Sequence, residues 1–347
     1  MSESIAGLEA RIGAIGPYLE KAVSGFEGLE RVEKFADGQS NPTFKLGAVS
    51  GDYVLRCKPP GALLKSAHAV DREFRVLQAL AGSAVPVPSV YHLCQDEAVI
   101  GSIFYVMDFV QGRTFWDPRL PELSPSDRAD VYDEMNRVLA AIHGLDLAAV
   151  GLSDYGRPGN YFARQYDRWT RQYRASATEP VPVMEDVIAW LAANMVSDDG
   201  RIALVHGDYR LDNIMFASQG PNALAVMDWE LSTLGHPFAD LGYQCALWHM
   251  PPGGFLSGFG DQDRTELGIP SEEDYVARYC QRLGLDAPRN WSFYLVFGLF
   301  RLAAIAQGVK KRALDGNASS ARALEVGALV APLAEKACGL AHRKIGN

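Results

Sequence analysis

The sequence predicts an α+β fold in two lobes. A small N-terminal lobe, residues 1–108, would hold an antiparallel sheet and one main helix, and a larger, mainly helical lobe would follow over 109–347. Three observations carry this. At 347 residues and 48% hydrophobic, the chain is too long for one small core yet apolar enough to build a large one. Strand signals gather before Met107, whereas helical periodicity dominates after Ser124. Two aspartates, Asp208 and Asp228, each follow a short apolar strand, Ile202–Val205 and Leu224–Met227, so both sit on loops at strand ends.

In chain order, Ile5, Leu8, Ile12, Ile15, Leu19 and Val23 fall at helical spacing, with Gly13, Gly16 and Pro17 disturbing the middle. Strands follow at Leu29–Phe35, Thr43–Ala48 and Tyr53–Cys57, the first two joined by a turn-rich stretch from Asp37 to Pro42. Asp71–Leu77 reads as a helix. Pro86-Val87-Pro88 ends it and introduces strands near Val90–Leu93 and Ile103–Met107. Ser126-Asp127 is placed as the cap of a helix carrying Val131, Met135, Val138, Leu139 and Ile142 that ends at His143-Gly144.

The segment Tyr161–Arg174 sets Phe162, Tyr166, Trp169 and Tyr173 on one helix face and Arg164, Arg168, Arg171 and Arg174 on the other. A core stripe with a solvated basic back explains this, and so does a cationic wall for an anionic substrate. Helices are expected at 271–284, 291–310 and about 317–343. Arg301 interrupts the most apolar of them and, if buried, needs a partner; it could bind substrate or pair with a core carboxylate, and the carboxylate is the expected one.

Net charge is −9 and the isoelectric point near 5.3, which argues against a general nucleic-acid binder. The five cysteines are scattered without a Cys-x-x-Cys, so neither a disulfide framework nor a zinc site is expected. The first residues lack a basic start followed by an apolar run, and Phe293–Ala306 is short and broken by Arg301. A cytoplasmic protein without a membrane span is expected, either monomer or homodimer.

His206-Gly207-Asp208, then Asn213 five residues after Asp208, then Asp228-Trp229-Glu230, match the layout H-R-D-x-x-x-x-N followed by D-F-G. Phosphoryl transfer needs those types: a carboxylate to orient or deprotonate a hydroxyl, and an amide and a second carboxylate to hold magnesium. Aligning Tyr53-Val54-Leu55-Arg56 on the strand motif V-A-I-K places Arg56 at the phosphate-binding cation, with Lys58 as fallback on the same face. Glu73 on the next helix is its expected partner. Backbone groups near Asp108 and Val110 fall where adenine would be met. Gly207 replaces the Arg of H-R-D, and twelve residues separate Asp228 from Asp240, too few for a long activation loop. Both facts disfavour a phosphorylation-switched protein kinase.

These residues, with G-Q-S-N-P-T at 38–43, Y-V-L-R-C-K-P-P-G at 53–61, E-L-S-T-L-G-H-P at 230–237 and A-D-L-G-Y at 239–243, make the chain resemble the aminoglycoside phosphotransferase-like kinases. Within them it is most similar to the kinase-like domain of acyl-CoA dehydrogenase family members 10 and 11 and its free-standing bacterial relatives. The resemblance implies a protein-kinase-like fold, ATP and Mg2+ as cofactors, and transfer of the γ-phosphoryl group to the hydroxyl of a small molecule. It implies phosphate contacts from Gly38, Gln39, Ser40 and Asn41, a catalytic Asp208, magnesium on Asn213 and Asp228, and a bracing role for Asp240. A hydroxylated coenzyme A thioester is the implied acceptor, with Arg164, Arg168 and Glu230 placed beside it. Aminoglycoside, choline-like and sugar acceptors are the alternatives. A catalytically silent nucleotide-binding protein and an unrelated metal-dependent hydrolase are the rival classes.

Overall fold

A computed structural model describes residues 5–35, 41–59, 69–254, 256–316 and 322–342. Gly38, Gln39 and Ser40 lie outside the described residues. The chain forms two units, Met1–Gly112 with Leu224–Glu230, and Arg113–Ala223 with Leu231–Asn347. The first unit thus reaches four residues past the expected boundary and takes in a short segment from far downstream.

In the first unit, α1 (Ile5–Gly13) and α2 (Gly16–Ala22) are two helices, because Pro17 starts a new one at its first turn. Then come β1 (Leu29–Lys34), β2 (Thr43–Ala48), β3 (Gly51–Cys57), α3 (Val70–Leu80), β4 (Val90–Cys94) and β5 (Phe104–Asp108). The five strands form one antiparallel sheet in the order β1-β2-β3-β5-β4. Strand alternation decides what each face does. Phe44, Leu46, Leu55, Cys57, Phe104 and Val106 share a core with Leu8, Ile12 and Leu19, so α1 and α2 cover that face. Each such buried side chain stabilises the fold by about 1.5–3 kcal/mol relative to exposure. Arg56 alternates with Leu55 and Cys57 and therefore points to the opposite face, paired in register with Tyr105. On that face Phe74 of α3 meets the Tyr105 ring edge-on at 6.0 Å, and Glu73 is buried. The downstream segment is tied in by Val226, whose N–H donates to Pro86 O at 2.8 Å, and by the fully buried Trp229, whose indole donates to Val226 O at 3.0 Å.

The second unit contains α4 (Pro125–His143), α5 (Tyr161–Ser176), α6 (Pro182–Ala193), β6 (Ala203–Val205) and β7 (Ile214–Phe216). The strand β8 (Ala223–Val226) then leads into the first unit, and β9 (Thr233–Gly235), α7 (Phe238–Trp248), α8 (Glu272–Leu283), α9 (Trp291–Leu314), α10 (Ala323–Gly327) and α11 (Val330–Ala341) complete the second. The cap of α4 is Ser124 and not the expected Ser126-Asp127: its hydroxyl accepts from Asp127 N at 3.2 Å, and Pro125 takes the first helical position. The expected run at 317–343 is two helices within the described residues. β6 and β9 pair antiparallel, Ala203 opposite Gly235, and bring the ends of two loops side by side.

Every residue of α7 is buried. It packs on α9 at a distance only glycine permits: a Cβ at Gly242 would lie 2.6 Å from Tyr294 Cβ, and one at Gly298 would lie 3.0 Å from Tyr243 Cα. α9 is long and apolar enough to span a membrane, yet 72% of its apolar window is buried inside the protein, as suits a core helix. Arg301 follows Gly298 by three residues, so the close approach carries it toward α7.

Candidate active site

Arg56 is the centre of the polar cluster in the first unit. Its Nε lies 2.9 Å from Glu73 Oε2, its Nη2 donates to Asp228 Oδ1 at 2.7 Å, and Glu230 Oε2 stands 3.9 Å away. Burial alone would lower the Arg56 pKa, but Glu73, Asp228 and Glu230 outweigh it and push the guanidinium above its ordinary value. Burial pushes Glu73 above the usual carboxylate range while Arg56 pulls it back. Asn41 is buried, and its amide donates to Glu230 Oε2 at 3.2 Å. Glu230, expected at the acceptor, is thus engaged by Asn41 and Arg56. Lys58, the fallback cation, lies just beyond β3, and it is Arg56 that meets Glu73.

Asp228 adopts φ +66°, the left-handed region that a non-glycine residue enters at a cost of about 1–3 kcal/mol. Such strain is retained where surroundings over-determine the backbone, and here the Arg56 contact and the buried Trp229 do so. At the other end of β5, Asp108 accepts from Ser89 N at 3.2 Å and from the Tyr91 hydroxyl. Phe35 and Phe109 stack at 6.5 Å, with Lys45 Nζ 4.0 Å above the Phe109 ring. Val110, half-buried, follows.

The second unit holds the loop after β6. Asp240, fully buried on α7, accepts from His206 N at 2.6 Å and Gly207 N at 2.8 Å, and His143 Nε2 stands 3.2 Å from it. Burial would raise Asp240, but His143, His206 and those N–H groups keep it below the carboxylate range. Gly207 takes φ +86°, and a Cβ there would fall 2.7 Å from Leu231 O, so no side chain fits where H-R-D carries Arg. His206 is fully buried and its Nδ1 accepts from Asp208 N at 3.2 Å, a bond within the loop.

Asp208 is 24% exposed at its side chain, so a ligand can reach it. Its Oδ1 accepts from the Tyr243 hydroxyl at 2.5 Å and its Oδ2 from Asn213 Nδ2 at 3.0 Å. Burial pushes its pKa up, but Arg210, Tyr243, His206 and Arg301 together hold it below the usual carboxylate range. Asn213 Nδ2 also donates to Asp208 O at 2.8 Å, which leaves its amide oxygen directed elsewhere. Asn213 and Asp228 each present oxygen, the donor a hard divalent cation takes, so their chemistry fits magnesium. Among the described residues no group of three or more His, Cys, Asp or Glu side chains gathers as a metal site.

Two residues near Asp208 take places that the sequence reading did not give them. Tyr243 stands in the quoted A-D-L-G-Y, where nothing marks a phenol as a carboxylate's partner. Arg301, expected to pair with a core carboxylate, instead donates to Gly207 O. Its position on α9 faces the loop, not an acid, because the glycine contacts fix the helix there. His236, whose role the sequence left open, is buried, with Nδ1 accepting from Phe238 N at 3.1 Å and Nε2 3.3 Å from Asp199. Burial lowers its pKa. Arg164, expected at the acceptor, directs its guanidinium to the carbonyls of Arg157, Pro158 and Gly159. Arg168 keeps much of its residue surface exposed, while its guanidinium is partly desolvated.

The profile of the phosphotransferase enzyme family matches residues 31–293. Acyl-CoA dehydrogenase family member 10 of Mus musculus is 47% identical over 332 residues, which cover 94% of this chain and 31% of that protein. The chain therefore spans about a third of that relative's length. A crystal structure from Ralstonia eutropha, provisionally named an aminoglycoside phosphotransferase, is 49% identical, with a TM-score of 0.84, covering 97% of this chain and 98% of that one. A thermostable mutant of aminoglycoside phosphotransferase APH(4)-Ia, solved in ternary complex with ADP and hygromycin B, shares the fold at 16% identity and a TM-score of 0.61, covering 96% of this chain and 100% of that one.

Proposed function

We propose, from the premise that this chain belongs to the phosphotransferase enzyme family, that it is an ATP- and magnesium-dependent kinase of a small molecule bearing a hydroxyl group. The observation that carries the reading is Asp208, an ionised carboxylate with one oxygen fixed by Tyr243 and the other by Asn213. A carboxylate so held is a weak base. It orients the acceptor hydroxyl and takes its proton late, as the acceptor oxygen bonds to Pγ and the bond from Pγ to the ADP oxygen breaks. Arg56, held by Glu73, is assigned to the α- and β-phosphates, and Asn41 to contact with them. Asn213 and Asp228 would hold magnesium, which when bound neutralises phosphate charge.

The mouse relative's name points to a coenzyme A thioester, so a hydroxylated acyl-CoA is the proposed acceptor and the cytoplasm the proposed location. ADP formation over a panel of hydroxyl compounds, with and without magnesium, tests the reading. Asp208→Asn should cut turnover by about 10²–10⁴-fold while ATP still binds. Turnover retained in that variant would remove Asp208 from the role. A second reading, a nucleotide-binding protein without turnover, is favoured by the 2.7 Å contact of Arg56 with Asp228, which engages the proposed metal ligand. Magnesium-dependent ATP binding with no turnover across the panel would select it.

A further inference from the structure

One indole in the second unit carries two cations. Arg168 Cζ stands 5.0 Å and Arg301 Cζ 5.9 Å from the ring centroid of Trp169. Arg301 is only 7% exposed, and its Cζ is also 5.8 Å from the ring of Tyr243, whose hydroxyl engages Asp208. Its Nη2 donates to the carbonyl of Gly207, the residue before Asp208. Among the described residues neither guanidinium forms an ion pair with a carboxylate.

The other arginines of α5 are committed. Arg164 caps its own loop, Arg171 donates to Asp167 O, and Arg174 pairs with Glu185 at 2.6 Å. Arg168 is the one whose donors find no partner among the described residues. Like charges brought over one ring repel in a partly desolvated setting, and the aromatic face offsets only part of that. Burial lowers the Arg168 pKa and the charge of Arg301 lowers it further. A brace on the catalytic loop accounts for Arg301 but leaves Arg168 unexplained.

We propose that Arg168 and Arg301 form an oxyanion-binding subsite for the acceptor, so that the phosphorylated compound carries a carboxylate or phosphate and polycationic acceptors are rejected. This rests on the kinase reading above. Two guanidinium forks suit either anion, since each binds oxyanions in a bidentate way.

The test uses the full chain, wild type against Arg168→Gln and Arg168→Glu, with Arg301→Lys as a second site. The probes are hydroxycarboxylic acids, their neutral amides, the coenzyme A thioesters and the matching pantetheine thioesters. Arg168→Gln should raise KM for the anionic acceptor by about tenfold and Arg168→Glu by more, with KM for ATP unchanged. Arg168-dependent preference for the free acid over its amide identifies a carboxylate as the anion. Arg168-dependent preference for the coenzyme A thioester over the pantetheine thioester identifies the coenzyme's phosphates. Unchanged KM in both Arg168 variants for every accepted compound overturns the subsite while leaving the kinase intact. Acceptor binding is measured separately by calorimetry without ATP: Arg168-dependent binding of an anionic compound with no turnover would keep the subsite and sink the kinase.

Discussion

The Tyr243 hydroxyl donates to Asp208 Oδ1 at 2.5 Å, joining the middle of a buried helix to the loop that follows β6. Burial and the Asp208 charge hold the phenol far above its ordinary pKa, so it remains a donor throughout the working range.

Removing that donor should weaken the carboxylate. A hydrogen bond to a charged group is worth about 1.5–3 kcal/mol, so Tyr243→Phe should lower kcat by about ten- to a hundredfold. Asp208 is held below the usual carboxylate range, and activity that needs it ionised is present above its pKa and lost as pH falls through it. The variant raises that pKa, so the acid limb of kcat/KM should move to higher pH. An unmoved limb with reduced kcat would mean that Tyr243 only packs.

Arg56 can be separated into charge and fork. Arg56→Lys keeps the cation but loses the geometry that meets Glu73 and Asp228 together, and KM for ATP should rise by about tenfold. Arg56→Ala leaves Glu73, 2% exposed, without its cation and should cost about 3–5 kcal/mol in urea unfolding. Equal stability of the two variants would show that the Glu73 pair does not hold the first unit together.

Asp240 braces two consecutive N–H groups and faces His143. Asp240→Asn should lose about 2–3 kcal/mol, because hydrogen bonds to an ionised acceptor are replaced by neutral ones. The folded pKa of Asp240 is depressed, so its contribution is fully present above the unfolded value of about 3.9 and is lost as pH falls through the folded one. Unfolding free energy followed from neutral pH into that acid window should therefore fall less steeply in the variant than in the wild type.

Alignment on the strand motif V-A-I-K was enough to single out Arg56, and the helix after it offered Glu73, although Asp71 shares its first turn. The spacing of Asp208 and Asn213 was equally plain, since both lie on one short loop. Arg168 was named beside the acceptor and Arg301 as a cation in need of a partner, but Tyr243 was not legible in the same way. Tyr243 and Arg301 meet beside Asp208 because α7 and α9 approach closely, and that distance is set by Gly242 and Gly298, residues that look like weaknesses in a helix when read one at a time. The contact of Glu230 with Asn41 was not legible either, since the two lie far apart in sequence. The helix at Pro182–Ala193 and the strand at Thr233–Gly235 were not anticipated, the latter being too short to show a period.

The first unit is not a continuous stretch of chain: Leu224–Glu230 returns to it after the whole of Arg113–Ala223 has been made. During synthesis, Arg56 and Glu73 leave the ribosome long before Asp228 exists. A fragment ending at Gly112 would lack both Asp228 and Trp229, so the first unit cannot be completed until about half of the second has already emerged.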